Sequence, residues 1–320
     1  MFRYLVRRII GGVLVLGIVS IVVFGLFFAL PADPARLACG KSCTPELMAR
    51  IRHTLELDLP LPVQYGRFIK GIFVGRTYLK GTTAEIQCPA PCLGYSYQTD
   101  EPVTVLLKDR VPATLSIAVG ASILWLLVGL TSGIISALKR GTWIDKVSQS
   151  VALGGASLQI YFVGLVLQFI FVDKLAWLHS PGYVPPFVDP KEWAMEMILP
   201  WMTLAFLLSA IYARLTRAGM LEVMSEDYVR TARAKGLSAR RINFKHVLRG
   251  AITPIVTVFG LDLGGLLGGA VITEYVFNIP GLGRLATDAV SNVDLPVIVG
   301  TVMLAAIFIV VANIVVDLFY

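Results

Sequence analysis

Charged residues are scarce in this chain, and their scarcity is the first guide to its class. Asp, Glu, Lys and Arg make up 15% of the 320 residues, whereas hydrophobic residues make up 56% and the mean hydropathy is +0.74. This composition excludes an ordinary soluble domain. Apolar runs of about 20 residues, enough to cross a bilayer as helices, lie at 9–31, 112–138, 148–172, 198–219, 251–275 and 296–317. We expect an all-α integral membrane protein with six transmembrane helices.

Residues that build catalytic or metal sites are also rare. The three histidines, His53, His179 and His246, show neither metal-ligand spacing nor a nucleophile–base arrangement. No Gly-x4-Gly-Lys-Ser/Thr string occurs, so the chain lacks the phosphate-binding loop of an ATPase. The sequence therefore predicts a protein without an enzyme active site, a bound metal or a cofactor of its own.

Every second loop has few acidic residues relative to basic ones, and this charge imbalance predicts how the protein is oriented in the membrane. Three arginines precede the first run, and between Arg214 and Arg249 nine basic residues face three acids. The loops at 173–196 and 277–296 carry more acids than bases. Because short cytoplasmic loops are enriched in Lys and Arg, both termini are predicted to be cytoplasmic. The net charge of +7 then reflects topology and does not require a nucleic-acid partner.

This topology divides the chain into three parts. Residues 1–31 contain an N-terminal segment and the first transmembrane helix, which lacks the small-residue cleavage site of a signal peptide and is expected to remain as an anchor. Residues 32–111 form a large extracytoplasmic loop domain. Residues 112–320 form a five-helix transmembrane core with a basic cytoplasmic loop at 220–250.

All four cysteines lie in the extracytoplasmic loop, at Cys39, Cys43, Cys88 and Cys92. An even number in one exported loop favours disulfides. The repeated Cys-x3-Cys spacing is also compatible with a metal site, although no His or acidic pattern completes one. Local bridges 39–43 and 88–92 and crosslinks between the two pairs are both conceivable. We favour the crosslinks, because closing a longer loop stabilises more.

The segment between the fourth and fifth runs is predicted to fold. Ser225 is a suitable N-cap, and Glu226 and Asp227 match the positive end of a helix dipole. Gly236 is a natural stop, which gives a helix of about ten residues, roughly 15 Å long. Ser238 can cap a second basic helix that runs into the next span. A loop that only orients the protein is the alternative, but it does not require the small side chains at Thr231, Ala232 and Ala234, which would let another protein approach closely.

A resemblance to a known family rests on this segment. Its residues are Asp227, Tyr228, Val229, Arg230, Thr231, Ala232, Arg233, Ala234, Lys235, Gly236 and Leu237. They resemble the cytoplasmic coupling segment of permease subunits of binding-protein-dependent ABC importers, and most closely the dipeptide/oligopeptide branch. Aligned on Gly236, the family pattern Glu-Ala-Ala-x-x-x-Gly places Arg230 on its glutamate. The glutamate of the family pattern is therefore absent here, as it is in the form of this segment that the peptide branch uses.

A second string with family resemblance follows the fifth run. It extends from Glu274 to Leu285 and contains a Pro-Gly-x-Gly turn where the chain leaves the bilayer. The stretches 30–35, 57–65 and 110–115 are also similar to peptide permeases. The segment around 80–100 has no counterpart in the family pattern. The resemblance is nearly continuous over the last third of the chain and weaker over the rest.

The resemblance implies a set of partners in the bacterial inner membrane. Importers of this family combine two homologous permease subunits with two ATP-binding subunits, which hold ATP and Mg²⁺, and an extracytoplasmic substrate-binding protein. This chain would be one permease subunit embedded in membrane lipid, with a dipeptide or oligopeptide as solute. Glutathione or a nickel complex is the alternative within the class. A channel or ion-coupled secondary transporter is the alternative outside it, but we find no clear internal repeat.

Polar residues within the predicted spans are candidates for the translocation path, because such residues are costly in lipid. Asp262 lies in the fifth span, Glu274 near its outer end and Gln159 in the third. Asp262 could meet the amino terminus of a peptide on the path. It could instead be paired within a helix interface, where the neighbouring glycines suit close packing.

Overall fold

The computed structural model describes residues 2–29, 58–78, 85–96, 98–179 and 181–318, together with positions 44–46, 48 and 52. In this part of the chain the helices are α1 (Phe2–Ala29), α2 (Leu61–Val74), α3 (Val103–Leu138), α4 (Trp143–Ser157), α5 (Ile160–Lys174), α6 (Pro190–Met224), α7 (Asp227–Ala234), α8 (Ala239–Leu267), α9 (Val271–Val276), α10 (Leu282–Ser291) and α11 (Leu295–Leu318). The strands are β1 (Arg76–Tyr78), β2 (Ile86–Cys88), β3 (Tyr95–Ser96) and β4 (Glu101–Pro102).

Five of these helices are long and apolar enough to cross a membrane, namely α1, α3, α6, α8 and α11. The third predicted run, 148–172, is not a single helix. It is divided between α4 and α5, which meet at 99° across Leu158 and Gln159, both in extended conformation. The described residues thus contain five spans, or six when the bent pair counts as one. The predicted count of six spans is therefore not confirmed, because the third run is bent and hydropathy does not detect a bend.

Two helix ends also differ from the predicted boundaries. α3 begins at Val103 rather than at 112, and its 36 residues are about 54 Å long. The helix is therefore longer than a hydrocarbon core of about 30 Å, and its first turns lie within the predicted extracytoplasmic region. α8 ends at Leu267 rather than at 275, because Gly269 adopts a φ of +134° that turns the chain.

The first helix begins, and the last helix ends, on the same side of the molecule. Arg8 near the start of α1 forms an ion pair with Asp317 near the end of α11, with 3.0 Å between Nε and Oδ2. The chain therefore enters and leaves the bundle at one face. The assignment of this face to the cytoplasm remains a prediction from the charge distribution.

α3 and α6 pack along most of their lengths and form the centre of the bundle. Their backbones approach closely at glycines on α3. A Cβ atom on Gly129 would lie 2.6 Å from the Cβ of Tyr212, and one on Gly133 would lie 2.6 Å from the carbonyl oxygen of Ala213. Trp125 and Tyr212 are fully buried beside this contact, with ring centroids 6.1 Å apart.

α8 and α11 form a second close pair by the same means. Gly260, Gly264 and Gly268 recur every fourth residue and therefore lie on one face of α8. A Cβ on Gly264 would lie 3.1 Å from the Cβ of Ala312, and one on Gly268 would lie 3.0 Å from the Cβ of Ala305. These glycines of the fifth predicted span thus allow close packing between α8 and α11.

The predicted extracytoplasmic loop domain contains two short antiparallel strand pairs, β1 with β2 and β3 with β4. The prediction of an all-α protein was therefore wrong for this domain. Cys88 is disulfide-bonded to Cys92, with their Cα atoms 5.6 Å apart. The favoured crosslinks between the two cysteine pairs are thus incorrect for Cys88 and Cys92, because the chain reverses directly after β2 and brings these two residues together. Cys39 and Cys43 lie outside the described residues.

A buried carboxylate holds the segment after α8 against the outer half of α3. Glu274 on α9 is fully buried. Its carboxylate accepts hydrogen bonds from the backbone N–H of Arg284 at 2.8 Å and from Thr114 Oγ1 on α3 at 2.9 Å. Thr114 Oγ1 in turn accepts the N–H of Leu282 at 2.8 Å. A Cβ atom on Gly281 would clash with this carboxylate, so the Pro-Gly-x-Gly turn is shaped around Glu274.

We expect Gly281→Ala to lower the free energy of unfolding by about 1–3 kcal/mol, the usual cost of overpacking a buried site. Melting temperature in detergent, followed by size-exclusion chromatography of heated samples, measures this change. Gly17→Ala on α1 is the control, since a Cβ there has open space. An unchanged melting temperature for Gly281→Ala would show that Glu274 does not hold this turn.

Candidate functional site

α7 is a short helix that follows directly on α6. It spans eight residues, or about 12 Å, rather than the predicted ten. Ser225 does not cap it, because the Ser225 hydroxyl donates to the carbonyl of Glu222 at 2.6 Å and so closes α6. Glu226 occupies the N-cap position instead. Gly236 ends the helix with a φ of +73°, as the sequence predicts.

The inner face of α7 is part of the protein core. Val229 is fully buried and Ala232 is 8% exposed. They pack in one cluster with Ala137 of α3, Met220 of α6, and Ile242, Val247 and Ala251 of α8. The expectation that Ala232 leaves room for another protein is therefore incorrect, because its small side chain faces this cluster.

The outer face of α7 is exposed and polar or small. Asp227, Arg230, Thr231 and Ala234 follow the i, i+3, i+4, i+7 pattern of one helix face, and all four are exposed. Asp227 and Arg230 lie 3.4 Å apart, but their side chains are 96% and 70% exposed, so this pair contributes little to stability. Among the other residues of the segment, Tyr228, Arg233, Lys235 and Gly236 are also exposed, and Leu237 is half-buried.

A π-helical turn joins α7 to the transmembrane part of α8. It covers Ile242–Val247. Because a π-helix closes i→i+5 hydrogen bonds, residues five apart lie nearly above one another. Ile242 and Val247 thus both face α7, and both are buried. The predicted second basic helix is present and continues into the span, and Ser238 occupies its N-cap position, but the Ser238 side chain makes no capping hydrogen bond.

A largely buried ion pair ties together the C-terminal ends of α3 and α6 and the start of α4. Arg217 of α6 binds Asp145 of α4 through two nitrogens, with Nε–Oδ1 at 2.8 Å and Nη2–Oδ2 at 2.9 Å. The same carboxylate accepts the hydroxyl of Ser136 on α3 at 2.6 Å and the N–H of Gly141 at 2.9 Å. This pair is not among the features predicted from the sequence. The lone acid in a basic loop is the signal that could have identified the pair.

Comparison with known proteins identifies the family of this chain. A model of the N-terminal part of binding-protein-dependent transport system membrane components matches residues 1–118. The model of binding-protein-dependent transport system inner membrane components matches residues 129–320. The chain belongs to this family. It is an inner membrane permease of the ABC importer class, and the resemblance seen in the coupling segment is confirmed.

Curated permeases are similar to this permease over nearly their whole length. A probable peptide ABC transporter permease of Sinorhizobium fredii is 36% identical over 317 residues, which cover 99% of this chain and 96% of the relative. A glutathione transport system permease of Pectobacterium atrosepticum is 37% identical over 321 residues, with 100% and 97% covered. A putative peptide transport system permease of Brucella abortus is 36% identical over 320 residues, with 100% and 97% covered.

A solved structure shares the fold of this permease. It is a chain of the MetNI methionine ABC transporter in an inward-facing conformation, with a TM-score of 0.52 and 18% sequence identity. The match covers 68% of this permease and 97% of that chain. At this identity, the likeness concerns the fold alone.

The three polar residues predicted for the translocation path of the permease lie in separate settings. Asp262 on α8 is half-buried, and its Oδ2 accepts a hydrogen bond from Tyr212 Oη on α6 at 2.8 Å. Gln159 is exposed at the break between α4 and α5. Glu274 is fully buried, and its carboxylate accepts hydrogen bonds from Thr114 of α3 and from the backbone N–H of Arg284 on α10. A role on the path remains a prediction for all three.

We expect Asp145→Asn to lower the melting temperature of the permease by several degrees Celsius, since it leaves the Arg217 guanidinium without its carboxylate partner. Asp227→Asn breaks the exposed pair of α7 and serves as the matched control, with little or no change expected. Thermal melting of the purified permease in detergent measures both. Equal melting temperatures for the two variants would contradict a structural role for the buried pair.

Proposed function

We propose that this chain is one of two homologous permease subunits of an ATP-driven peptide importer, and that α7 docks on one of two ATP-binding subunits. The family supports the importer class, and the two faces of α7 support the docking role. One face is fixed in the permease core, whereas the other is exposed, small and polar. This division of faces is the observation that carries the proposal.

The packing of α7 provides a route for movement from the docking site to the membrane. Val229 and Ala232 contact a cluster to which α3, α6 and α8 all contribute. The pair of Asp145 and Arg217 adds α4 to the same group of helix ends. A displacement of α7 therefore acts on four helices together. ATP bound to the partner subunits would favour one of two existing arrangements of these helices.

We infer a peptide as the transported solute from the names of two relatives, and glutathione, itself a small peptide, from a third. An extracytoplasmic binding protein would deliver the solute to the exported domain. On the path, Asp262 is the best-placed acid, because it lies on a span, is only half-buried and is held by Tyr212. A carboxylate in such a position would bind the free amino group of a peptide.

The docking role predicts opposite behaviour for two neighbouring alanines. Ala234→Trp, on the exposed face, should leave the permease folded but abolish copurification of ATP-binding subunits and reduce peptide uptake at least tenfold. Ala232→Trp, on the buried face, should lower the yield of folded permease. Tagged permease purified from gently solubilised membranes and uptake of labelled peptides in cells measure these outcomes.

Arg140→Trp, on the exposed turn between α3 and α4, is the control for an added aromatic side chain. Normal uptake and normal recovery of ATP-binding subunits with Ala234→Trp would rule out α7 as the docking helix. Uptake of labelled glutathione without uptake of other peptides would still support an importer, and it would identify glutathione as the solute.

A role for Asp262 on the translocation path predicts a change in which peptides are taken up. Asp262→Asn should reduce uptake of peptides with a free amino terminus about tenfold, because the neutral side chain no longer pairs with an ammonium group, and should affect N-acetylated peptides little. Tyr212→Phe removes the hydrogen bond but keeps the acid, and should preserve the preference. Equal loss for both peptide types with Asp262→Asn would assign Asp262 to helix packing instead.

A further inference from the structure

An apolar groove opens on the surface of the permease between α4 and the packed pair of α3 and α6. Its volume is about 440 Å³. Val128 and Ile135 of α3, Val151 of α4 and Phe206 of α6 are among the residues that line it, and these four residues are 41–60% exposed. The groove is therefore accessible from outside the chain.

The polar groups of this groove are few and largely satisfied. Among the described residues, none that lines the groove is charged. Ser132 Oγ donates to the carbonyl of Gly129 at 3.1 Å, and Ser209 Oγ donates to the carbonyl of Phe206 at 3.2 Å, so two of the three lining serines are hydrogen-bonded within their own helices. The surface of the groove therefore suits a hydrocarbon chain better than a polar ligand.

The groove lies near one boundary of the hydrocarbon core. Each of its three helices has a long uncharged stretch, and the groove is at one end of all three stretches. Ile135, its last lining residue on α3, is four residues or about 6 Å before Lys139, the first charge after that stretch. Ala213 of α6 directly precedes Arg214, and Lys146 is the last charge of α4. Because charged side chains are costly in hydrocarbon, this end of the groove is at the level of the lipid headgroups.

Two lysines and a tryptophan lie at this end of the groove. Lys139 follows Val128 and Ile135 at eleven and four residues, so it continues the same face of α3. Trp143 lines the groove and is 77% exposed, which is typical of a tryptophan at a membrane interface. Lys146 is three residues further along α4 and therefore lies on the same side of that helix as Trp143. Both lysines are exposed.

The positive charges of these lysines are available to a ligand. Neither Lys139 nor Lys146 forms an ion pair with any residue that the structure describes. The one acid between them in the sequence, Asp145, binds Arg217 through both of its carboxylate oxygens. An anion at the end of the groove would thus meet two unpaired cations.

The groove is too narrow for a helix of another subunit. Val128 and Ile135 are seven residues apart, or about 10 Å along α3. A volume of about 440 Å³ over this length corresponds to a cross-section of about 44 Å², or a diameter of about 7–8 Å. An α-helix with its side chains is about 10–12 Å wide, whereas an acyl chain is a single file of methylene groups.

We propose that this groove holds an acyl chain of an anionic phospholipid from the leaflet next to the turn between α3 and α4, and that Lys139 and Lys146 bind its headgroup. Cations at a membrane interface attract anionic headgroups, and the apolar lining matches the chain. This inference depends on the membrane position of the permease. It is independent of the transported solute and of the docking role of α7.

Lipid retention tests the headgroup part of the proposal. The full-length permease, purified with its copurifying subunits and reconstituted in nanodiscs of equal parts phosphatidylglycerol and phosphatidylcholine, should retain phosphatidylglycerol preferentially in native mass spectrometry. Lys139→Gln with Lys146→Gln should reduce this preference about tenfold. Arg214→Gln removes an exposed positive charge of α6 that does not line the groove, and it should leave the preference unchanged. Equal retention of both lipids by the unmodified permease, or an unchanged preference in the double variant, would overturn the proposal.

Filling the groove tests the part of the proposal that concerns the acyl chain. Val128→Trp should reduce the retained phosphatidylglycerol several-fold, because the indole ring would occupy the groove. Leu127→Trp adds the same ring at the adjacent position of α3, which is exposed but does not line the groove, and should retain the lipid. Melting temperature in detergent shows whether both variants fold. Equal lipid retention by the two folded variants would contradict the proposed position of the chain.

Photocrosslinking covers the case in which these variants do not fold. Val151→p-benzoylphenylalanine, irradiated in native membranes, should form adducts with lipid, detected by mass spectrometry of the permease peptide. A crosslink to a polypeptide would overturn the proposal, since it would show that another subunit covers the groove. The absence of any lipid adduct would do the same.

Discussion

The close approach of α3 and α6 is the constraint on which the other contacts of the permease depend. Gly129 and Gly133 allow the two backbones to come together, and each other functional feature is attached to one of these helices. Tyr212 of α6 holds Asp262 of α8. α7 continues from the end of α6, and its buried face rests on Ala137 of α3. A wider separation of α3 and α6 would loosen all of these contacts together.

Two buried acids bind α3 in the same manner, one about a third of the way along the helix and the other near its C-terminal end. Glu274 accepts the hydroxyl of Thr114, and Asp145 accepts that of Ser136, and each carboxylate also accepts backbone N–H groups. Thr114 and Ser136 are 22 residues apart, or about 33 Å along the helix, which matches the thickness of the hydrocarbon core. At this spacing both contacts fit near the two boundaries of a bilayer, where charged groups cost less than at its centre.

The sequence predicts those features that depend on composition and local chemistry. Hydropathy locates α1, α3, α6, α8 and α11, and Gly236 marks the end of α7. The remaining features depend on tertiary contacts. The bend at Gln159 lies within an apolar run, and the role of Ser225 depends on which helix its hydroxyl reaches. The direction of Ala232 depends on where α8 packs, so helical spacing alone cannot distinguish the docking face of α7 from its buried face.

The π-helical turn at Ile242–Val247 sets the rotational phase of the fifth span. Each residue advances an α-helix by about 100°, so removing the one extra residue that such a turn contains would rotate the rest of α8 by that angle. Gly264 and Gly268 would then leave α11, and Asp262 would turn away from Tyr212. The turn at the start of α8 therefore determines which side chains of α8 face each neighbouring helix, so packing constrains the number of residues between α7 and this span as well as their identity.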